Sequence, residues 1–269
     1  MRRVSTPAAP TPPDLTPIRE QVYKDPRPPA YFDRFHERSR TRDPDWVYDA
    51  VRLLTSLYAF AFFRARSIGA WRVPGAGPVI LAPNHFSFLD HFFIGSALRR
   101  NVRFMAKSQL FAPPMEWIYT HGGVFPVRRG HADEEGFITA LSVLDRGGCV
   151  AMYCEGGRSR TGRLAERPKR GIGRLALESG ATVVPVGIHG SAHVRNWKRL
   201  QFPKVTIHFG DPLRWEPVEA PTRDQQQAVA NEIHARIRGL YGELEAVGRS
   251  GVVERERERR RRRRGGVGA

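Results

Sequence analysis

The feature that most constrains this chain is a set of short apolar runs, each closed by a turn that carries polar or charged side chains. The clearest is residues 78–91, Pro-Val-Ile-Leu-Ala-Pro-Asn-His-Phe-Ser-Phe-Leu-Asp-His. Residues 78–82 have the unbroken apolarity of a buried strand, Pro83 ends the run, and Ser87 and Asp90 can open a helix that continues to about Leu98. His85 therefore falls at a strand's carboxyl end. In open α/β sheets, ligands bind beyond those ends, where loops and helix N-termini meet. A histidine with a carboxylate five residues on can aim one ring nitrogen at a substrate while Asp90 accepts a hydrogen bond from the other. Such a pair fixes the tautomer and raises basicity, as a general base requires. Read alone, the same residues equally suit a polar turn and a helix-start carboxylate favoured by the dipole.

The rest of the chain repeats the pattern. Strand signals at 102–106, 122–127, 148–154, 182–187 and 204–209 alternate with helical periodicity at about 133–144, 169–179 and 225–247. Residues 109–120 read as a short aromatic-rich helix broken by Pro113 and Pro114. This alternation predicts an α/β fold with a mostly parallel central sheet flanked by helices. The run at 148–154 is apolar apart from a tyrosine hydroxyl and belongs in the middle of that sheet.

Upstream, residues 46–66 place Val47, Ala50, Val51, Leu54, Leu57, Tyr58 and Ala61 on one helical stripe, and the second half is apolar nearly all round. The uncharged stretch between Arg52 and Arg64 is shorter than the roughly 20 residues that span a bilayer. It fits an N-terminal amphipathic, membrane-associated helix with Arg64 and Arg66 near lipid headgroups, or equally a helix packed on the sheet. The expected organisation is a disordered Pro-rich arm at 1–45, this helix at 46–68, a catalytic domain at 69–248 and a disordered Arg-rich tail at 249–269.

The net charge of +17 and pI near 11 point to an anionic partner: nucleic acid, an anionic membrane surface or a phosphorylated substrate. Residues 254–264 hold eight Arg and three Glu, net +5, so +12 is spread through the remainder. The basic residues form no single recognition helix, and neither a zinc-finger pattern nor an aromatic-interleaved RNA-binding pattern is present, so no nucleic-acid partner is expected. Cys149 and Cys154 fall on opposite faces of one strand, unsuited to bridging each other, and a reducing cytosolic setting is the default. Prolines follow Met-Arg-Arg-Val-Ser-Thr where a secretory signal would have its apolar stretch.

The second chemical cluster is the glycine-rich basic loop 155–162. Arg158 and Arg160 supply planar donor forks suited to phosphate, and Gly156 and Gly157 let the backbone approach a ligand. Glu155, at a strand end, can orient an arginine. The loop alone would also serve as a solvated basic turn. Arg128 follows another strand and lies at the same sheet edge, so His85 with Asp90, Arg128, and Glu155 with Arg158 suggest one convergent site.

These blocks together resemble the glycerolipid acyltransferases of the 1-acylglycerol-3-phosphate acyltransferase class. Asn84-His85 with Asp90 is similar to that family's His-x4-Asp pair. Gly122-Gly-Val-Phe-Pro-Val-Arg128 resembles its second block, whose arginine contacts the acceptor phosphate. Tyr153-Cys-Glu-Gly-Gly-Arg-Ser159 resembles its third, usually Phe-Pro-Glu-Gly-Thr-Arg-Ser, and Val184-Pro185-Val186 its fourth, a pocket-lining strand. The match runs over roughly residues 70–210, with all four blocks in order and spacing. Cys154 stands where the family commonly has proline and Gly157 where it has threonine. The lost threonine hydroxyl bears on acceptor identity more than on reaction type.

The resemblance implies an acyl-CoA-dependent O-acyltransferase of phospholipid biosynthesis, moving an acyl group from acyl-CoA or acyl carrier protein to a hydroxyl of 1-acyl-glycerol-3-phosphate. His85 acts as general base, Asp90 orients it, and Asn84, Ser87, Arg128, Glu155, Gly156, Arg158 and Arg160 bind substrate. No metal or other cofactor is expected, and attachment is peripheral or monotopic at the cytoplasmic face of an anionic membrane. Another lysolipid or a glycolipid acceptor, or a non-catalytic lipid-binding member of the fold, are the alternatives. Retention of both His85 and Asp90 speaks against the last. A metal site from His85, Asp90 and His91 matches no established ligand spacing. Ser87 as a nucleophile lacks a Gly-x-Ser-x-Gly elbow.

Overall fold

The structure, a computed structural model, describes residues 12, 14–18, 25–129 and 133–265, with side chains as far as Arg262. Among the described residues, seven strands make one sheet: β1 (Arg66–Ile68), β2 (Val79–Pro83), β3 (Arg103–Lys107), β4 (Val124–Val127), β5 (Cys149–Ala151), β6 (Thr182–His189) and β7 (Thr206–Phe209). Their order across the sheet is β1-β7-β6-β2-β5-β3-β4. Every neighbouring pair is parallel except β6 with β7. The expected mostly parallel α/β sheet is present.

β2 lies between β6 and β5, with Leu81 opposite both Val184 and Ala151. All five of its residues are buried. Because side chains alternate across a strand, Val79 and Leu81 enter one core layer and Ile80 and Ala82 the other. The first layer is covered by α2 (Trp46–Phe63) and α3 (Asp90–Ala97), where Phe63 meets Phe93 edge to face at 5.5 Å. The second is covered by α5 (Glu134–Asp145), α6 (Gly171–Ser179) and α7 (Arg223–Gly265). Two further helices, α1 (Asp33–Thr41) and α4 (Met115–His121), close the β4 edge. This doubly covered parallel sheet puts the turns after β2, β3, β4 and β5 along one edge.

Three segments depart from expectation. Of the arm expected to be disordered, residues 1–11, 13 and 19–24 lie outside the described residues, but from Asp25 the chain is fixed. Arg27 pairs with Asp25 (2.7 Å) and donates to the Ser108 carbonyl (2.7 Å), while Phe32 and Phe35 pack with Phe111. Three closely spaced aromatic residues supply enough apolar area to order a segment whose composition is otherwise polar. The Arg-rich tail is likewise helical to Gly265, after a break at Gly248, whose φ of 67° suits glycine. Val252 is fully buried beside Ile68 and Leu244. Glu256, 3% exposed, accepts from Arg72 (2.6 Å) and Arg259 (2.9 Å), so a carboxylate inside the arginine run pins it to the sheet. Residues 266–269 lie outside the described residues.

The third difference is β1. The helix expected to reach Arg66 stops at Phe63, Arg64 turns left-handed (φ 45°), and the chain joins the sheet edge with Arg66 N–H donating to Val205. A three-residue strand beginning with two exposed polar residues leaves no periodic trace.

Candidate active site

Two residues past β2, His85 is held from three sides. Asn84 Nδ2 donates to the Ile188 carbonyl (3.0 Å) and its Oδ1 accepts from Ile188 N–H (2.7 Å). Both amide atoms thus continue the β2–β6 ladder beyond its last backbone pair. Asn84 anchors the turn to β6. Asp90 opens α3, and its Oδ2 accepts from His85 Nδ1 (2.9 Å), Phe86 N–H (2.7 Å) and Ser87 N–H (2.8 Å). Ser87, also expected to bind substrate, is 3% exposed and accepts from Leu89 N–H through its hydroxyl (3.1 Å). Its role here is to build the turn.

The bond to Asp90 assigns the proton to His85 Nδ1, which leaves Nε2 with a lone pair. Burial holds the imidazole below its ordinary 6.5. Asp90 opposes that shift, and the charges of Arg129 and Arg158 add to it. A neutral imidazole with a fixed tautomer is therefore present at neutral pH. The Tyr153 ring lies flat against it, with centroids 3.8 Å apart and planes 18° off parallel. Among the described residues, the Tyr153 hydroxyl is buried without a hydrogen-bond partner, as is Asp90 Oδ1.

Glu155 follows β5 and takes the backbone amides of His85 and Ala165. Burial, and next the charge of Asp90, push its carboxyl up to about 8. It therefore holds the His85 backbone. Gly156 has φ 68° and lies where an added Cβ would meet Lys169 at 3.1 Å, so glycine is required by the turn itself. Ser159 N–H donates to the His85 carbonyl (2.8 Å). From the 3-10 segment Ser191–Arg199, Arg195 reaches the Phe86 (3.2 Å), Ser159 (2.9 Å) and Arg160 (3.0 Å) carbonyls and clips the two loops together.

Cations gather at adjacent strand ends. Arg158 follows β5, Arg129 follows β4, and Lys107 ends β3. The Lys107 ammonium is held below its ordinary value by burial, and then by the charges of Arg158 and Arg129. Arg128 instead donates to the Arg27 carbonyl (3.1 Å), and Arg160 is exposed, with its carbonyl held by Arg195. The structure thus gathers His85, Asp90, Glu155 and Arg158 from the residues expected at the site. It adds Tyr153, Lys107, Arg129 and Arg195. Lys107 and Arg129 had a readable signal, each being a cation at or just past a strand end. Arg195 had none, since only tertiary structure brings it across.

Burial pushes the His91 imidazole down to about 4, and its ring packs on Phe92 and Phe104. Among the described residues, no three His, Cys, Asp or Glu side chains converge as a metal site. In front of the His85 turn, Tyr58, Phe63, Phe88, Leu89, Val194 and Trp197 wall an apolar cavity of about 160 Å³.

A buried His–Asp pair thus lies beside a cationic strand-end cluster on a mostly parallel sheet, and comparison with known proteins adds a family match. The Acyltransferase family model matches residues 64–189. The chain is 28% identical over 148 residues to a chloroplastic 1-acyl-sn-glycerol-3-phosphate acyltransferase of Arabidopsis thaliana, covering 54% of this chain and 41% of that protein. It is 27% identical over 167 residues to a chloroplastic enzyme of the same description from Brassica napus, covering 61% and 46%. The matched stretch thus spans less than half the length of these curated relatives. The crystal structure of the 1-acyl-sn-glycerophosphate acyltransferase PlsC from Thermotoga maritima superposes with a TM-score of 0.59 at 23% identity, covering 81% of this chain and 89% of that one. Residues 64–189 thus carry the Acyltransferase family match, and the chain is similar to the 1-acylglycerol-3-phosphate acyltransferase class.

Proposed function

We propose that this chain transfers a fatty acyl group from acyl-CoA to a hydroxyl of 1-acyl-glycerol-3-phosphate, with His85 as general base. The observation that carries the reading is the buried Nδ1–Oδ2 bond between His85 and Asp90, which leaves a neutral Nε2 free to take a proton. As the acceptor oxygen attacks the thioester carbonyl, its proton moves to Nε2. Asp90 and the flat face of Tyr153 stabilise the imidazolium. Collapse of the tetrahedral intermediate breaks the carbon–sulfur bond, and the imidazolium returns the proton to the leaving thiolate. No covalent acyl-enzyme is needed.

Arg158, Arg129 and Lys107 are arranged to meet the acceptor phosphate, and the cavity behind Phe88 offers an apolar wall for an acyl chain. No described helix is long and apolar enough to cross a membrane. The exposed Leu53, Leu54, Leu57, Phe60 and Phe62 of α2, next to Arg64 and Arg66, favour peripheral attachment to an anionic bilayer, where a lysolipid acceptor is dissolved. The proposed attachment is at the cytoplasmic face of that membrane.

The test is thiol release from a long-chain acyl-CoA, with and without lysophosphatidate, for wild type beside His85→Ala. Release should require both the acceptor and His85. Undiminished release by a folded His85→Ala protein would remove the base. Release only with other lysolipids would change the acceptor.

A further inference from the structure

On the face of the sheet opposite α2, a second concavity of about 480 Å³ lies between α7 and the exit of the glycine-rich loop. Six of its eight lining residues are polar or charged. Gln227 Nε2 donates to the Pro168 carbonyl (3.4 Å) and to Asn231 Oδ1 (2.9 Å). The Gln227 Oε1 acceptor and the Asn231 Nδ2 donor are left one helical turn apart, without partners among the described residues. An acceptor beside a donor complements the N6 amino group and N7 of adenine. His234 also lines the groove; it is 3% exposed, and its Nε2 is buried without a partner among the described residues. Burial and the charge of Arg238 lower its pKa, so the neutral ring offers one donor and one acceptor. Arg167 and Arg238 add two exposed cations, against the single carboxylate of Glu166.

The groove is coupled to the His85 turn by the chain. Its loop begins at Glu155, which holds the His85 amide, and closes where Lys169 N–H donates to the Cys154 carbonyl (2.8 Å). On α7, Tyr241 lies one turn past Arg238 and meets Phe86 edge to face at 5.5 Å. The groove thus lies behind the turn whose front opens on the apolar cavity. A thioester at His85 would have an apolar recess on the α2 side and an adenine- and phosphate-binding recess on the other.

We infer that this groove seats the nucleotide of the acyl donor, the adenine and phosphates of coenzyme A, an assignment that rests on the acyltransferase reading above. Gln227 and Asn231 read the base edge, Arg167 and Arg238 meet the phosphates, and His234 hydrogen-bonds at the floor. The water-soluble end of the donor then approaches from the side away from the exposed apolar face of α2. The concavity and the amide pair fit a nucleotide and not the surface of a folded carrier protein.

Binding is measured first, by calorimetry of the full chain with adenosine 3′,5′-bisphosphate. Wild type and His85→Ala should bind alike, because His85 lies outside the groove. Arg167→Ala with Arg238→Ala should weaken binding at least tenfold. Asn231→Leu, which keeps both cations, should weaken the nucleotide more than inorganic pyrophosphate. In turnover, the Arg pair should lower the ratio of kcat/KM for acyl-CoA over that for an acyl thioester of N-acetylcysteamine by tenfold or more. Nucleotide affinity within twofold of wild type in both variants overturns the assignment, as does a larger loss with acyl carrier protein as donor than with acyl-CoA. Binding that depends on the groove in a protein with no thioester turnover would retain the nucleotide site and defeat the acyltransferase reading.

Discussion

The His85 turn and the Glu155 loop end hydrogen-bonded neighbours, β2 and β5, and each brings a buried carboxyl to the same histidine, yet they treat it differently. Asp90 Oδ2 gathers three donors, one of them the imidazole. Glu155 takes two backbone amides and leaves Oε1 buried without a partner among the described residues, and its carboxyl is pushed up to about 8. Two carboxylates in one buried site repel, and the one with fewer and weaker donors keeps its proton. The turn is built to move a proton, and the loop to hold the turn still.

The comparison breaks most sharply at Asp90. Asp90→Asn presents an amide that can settle the wrong imidazole tautomer, and kcat should fall roughly 10³-fold with little change in KM. A loss below tenfold would mean that Asp90 is only a helix-start carboxylate. Next in size is Tyr153. Tyr153→Leu removes the ring that faces the imidazolium and should lower kcat about tenfold, while Tyr153→Phe keeps the ring and should retain most of it. Equal losses would transfer the role to the hydroxyl.

The pH profile sharpens the same contrast. His85 must be unprotonated to act, so kcat/KM should rise with pH through a midpoint below 6.5, the imidazole's ordinary value. Arg129 is one of the charges that lower it. Arg129→Ala should therefore move the acid limb to higher pH, apart from any change in acceptor KM. A limb that stays in place would exclude Arg129 from the field on His85.

What could be read from the sequence follows from how each element is stabilised. β2, β5 and β6 declare themselves because burial on both faces demands unbroken apolar runs, and His85 with Asp90 is a local pair across one turn. Asn84 and Ser87 looked available to substrate because a sequence does not show which backbone groups they satisfy. Asn84 bonds the Ile188 backbone, and the Ser87 hydroxyl accepts from Leu89 N–H within the turn. The arm and the tail looked disordered because their compositions average over the few residues that dock, Phe32 and Phe35 in one and Val252 and Glu256 in the other. Arg195 joins loops more than 30 residues away in sequence and is visible only once the sheet is built.

The loop's half of the comparison is tested through stability. The Glu155 carboxyl has a folded-state value of about 8 against an ordinary 4.5, so between those values the folded chain retains a proton that the unfolded chain releases. The stability gained by keeping that carboxyl neutral is fully present below about pH 4.5 and is lost as the pH rises through about 8. Glu155→Gln is neutral throughout and its oxygen can still accept the His85 and Ala165 amides. Its Tm relative to wild type should therefore be least favourable below pH 4.5, climb across the window and level off above pH 8. Parallel Tm curves for the two proteins would show that Glu155 ionises normally. The loop would then place a second charge beside Asp90, and its separation from the proton-moving turn would fail.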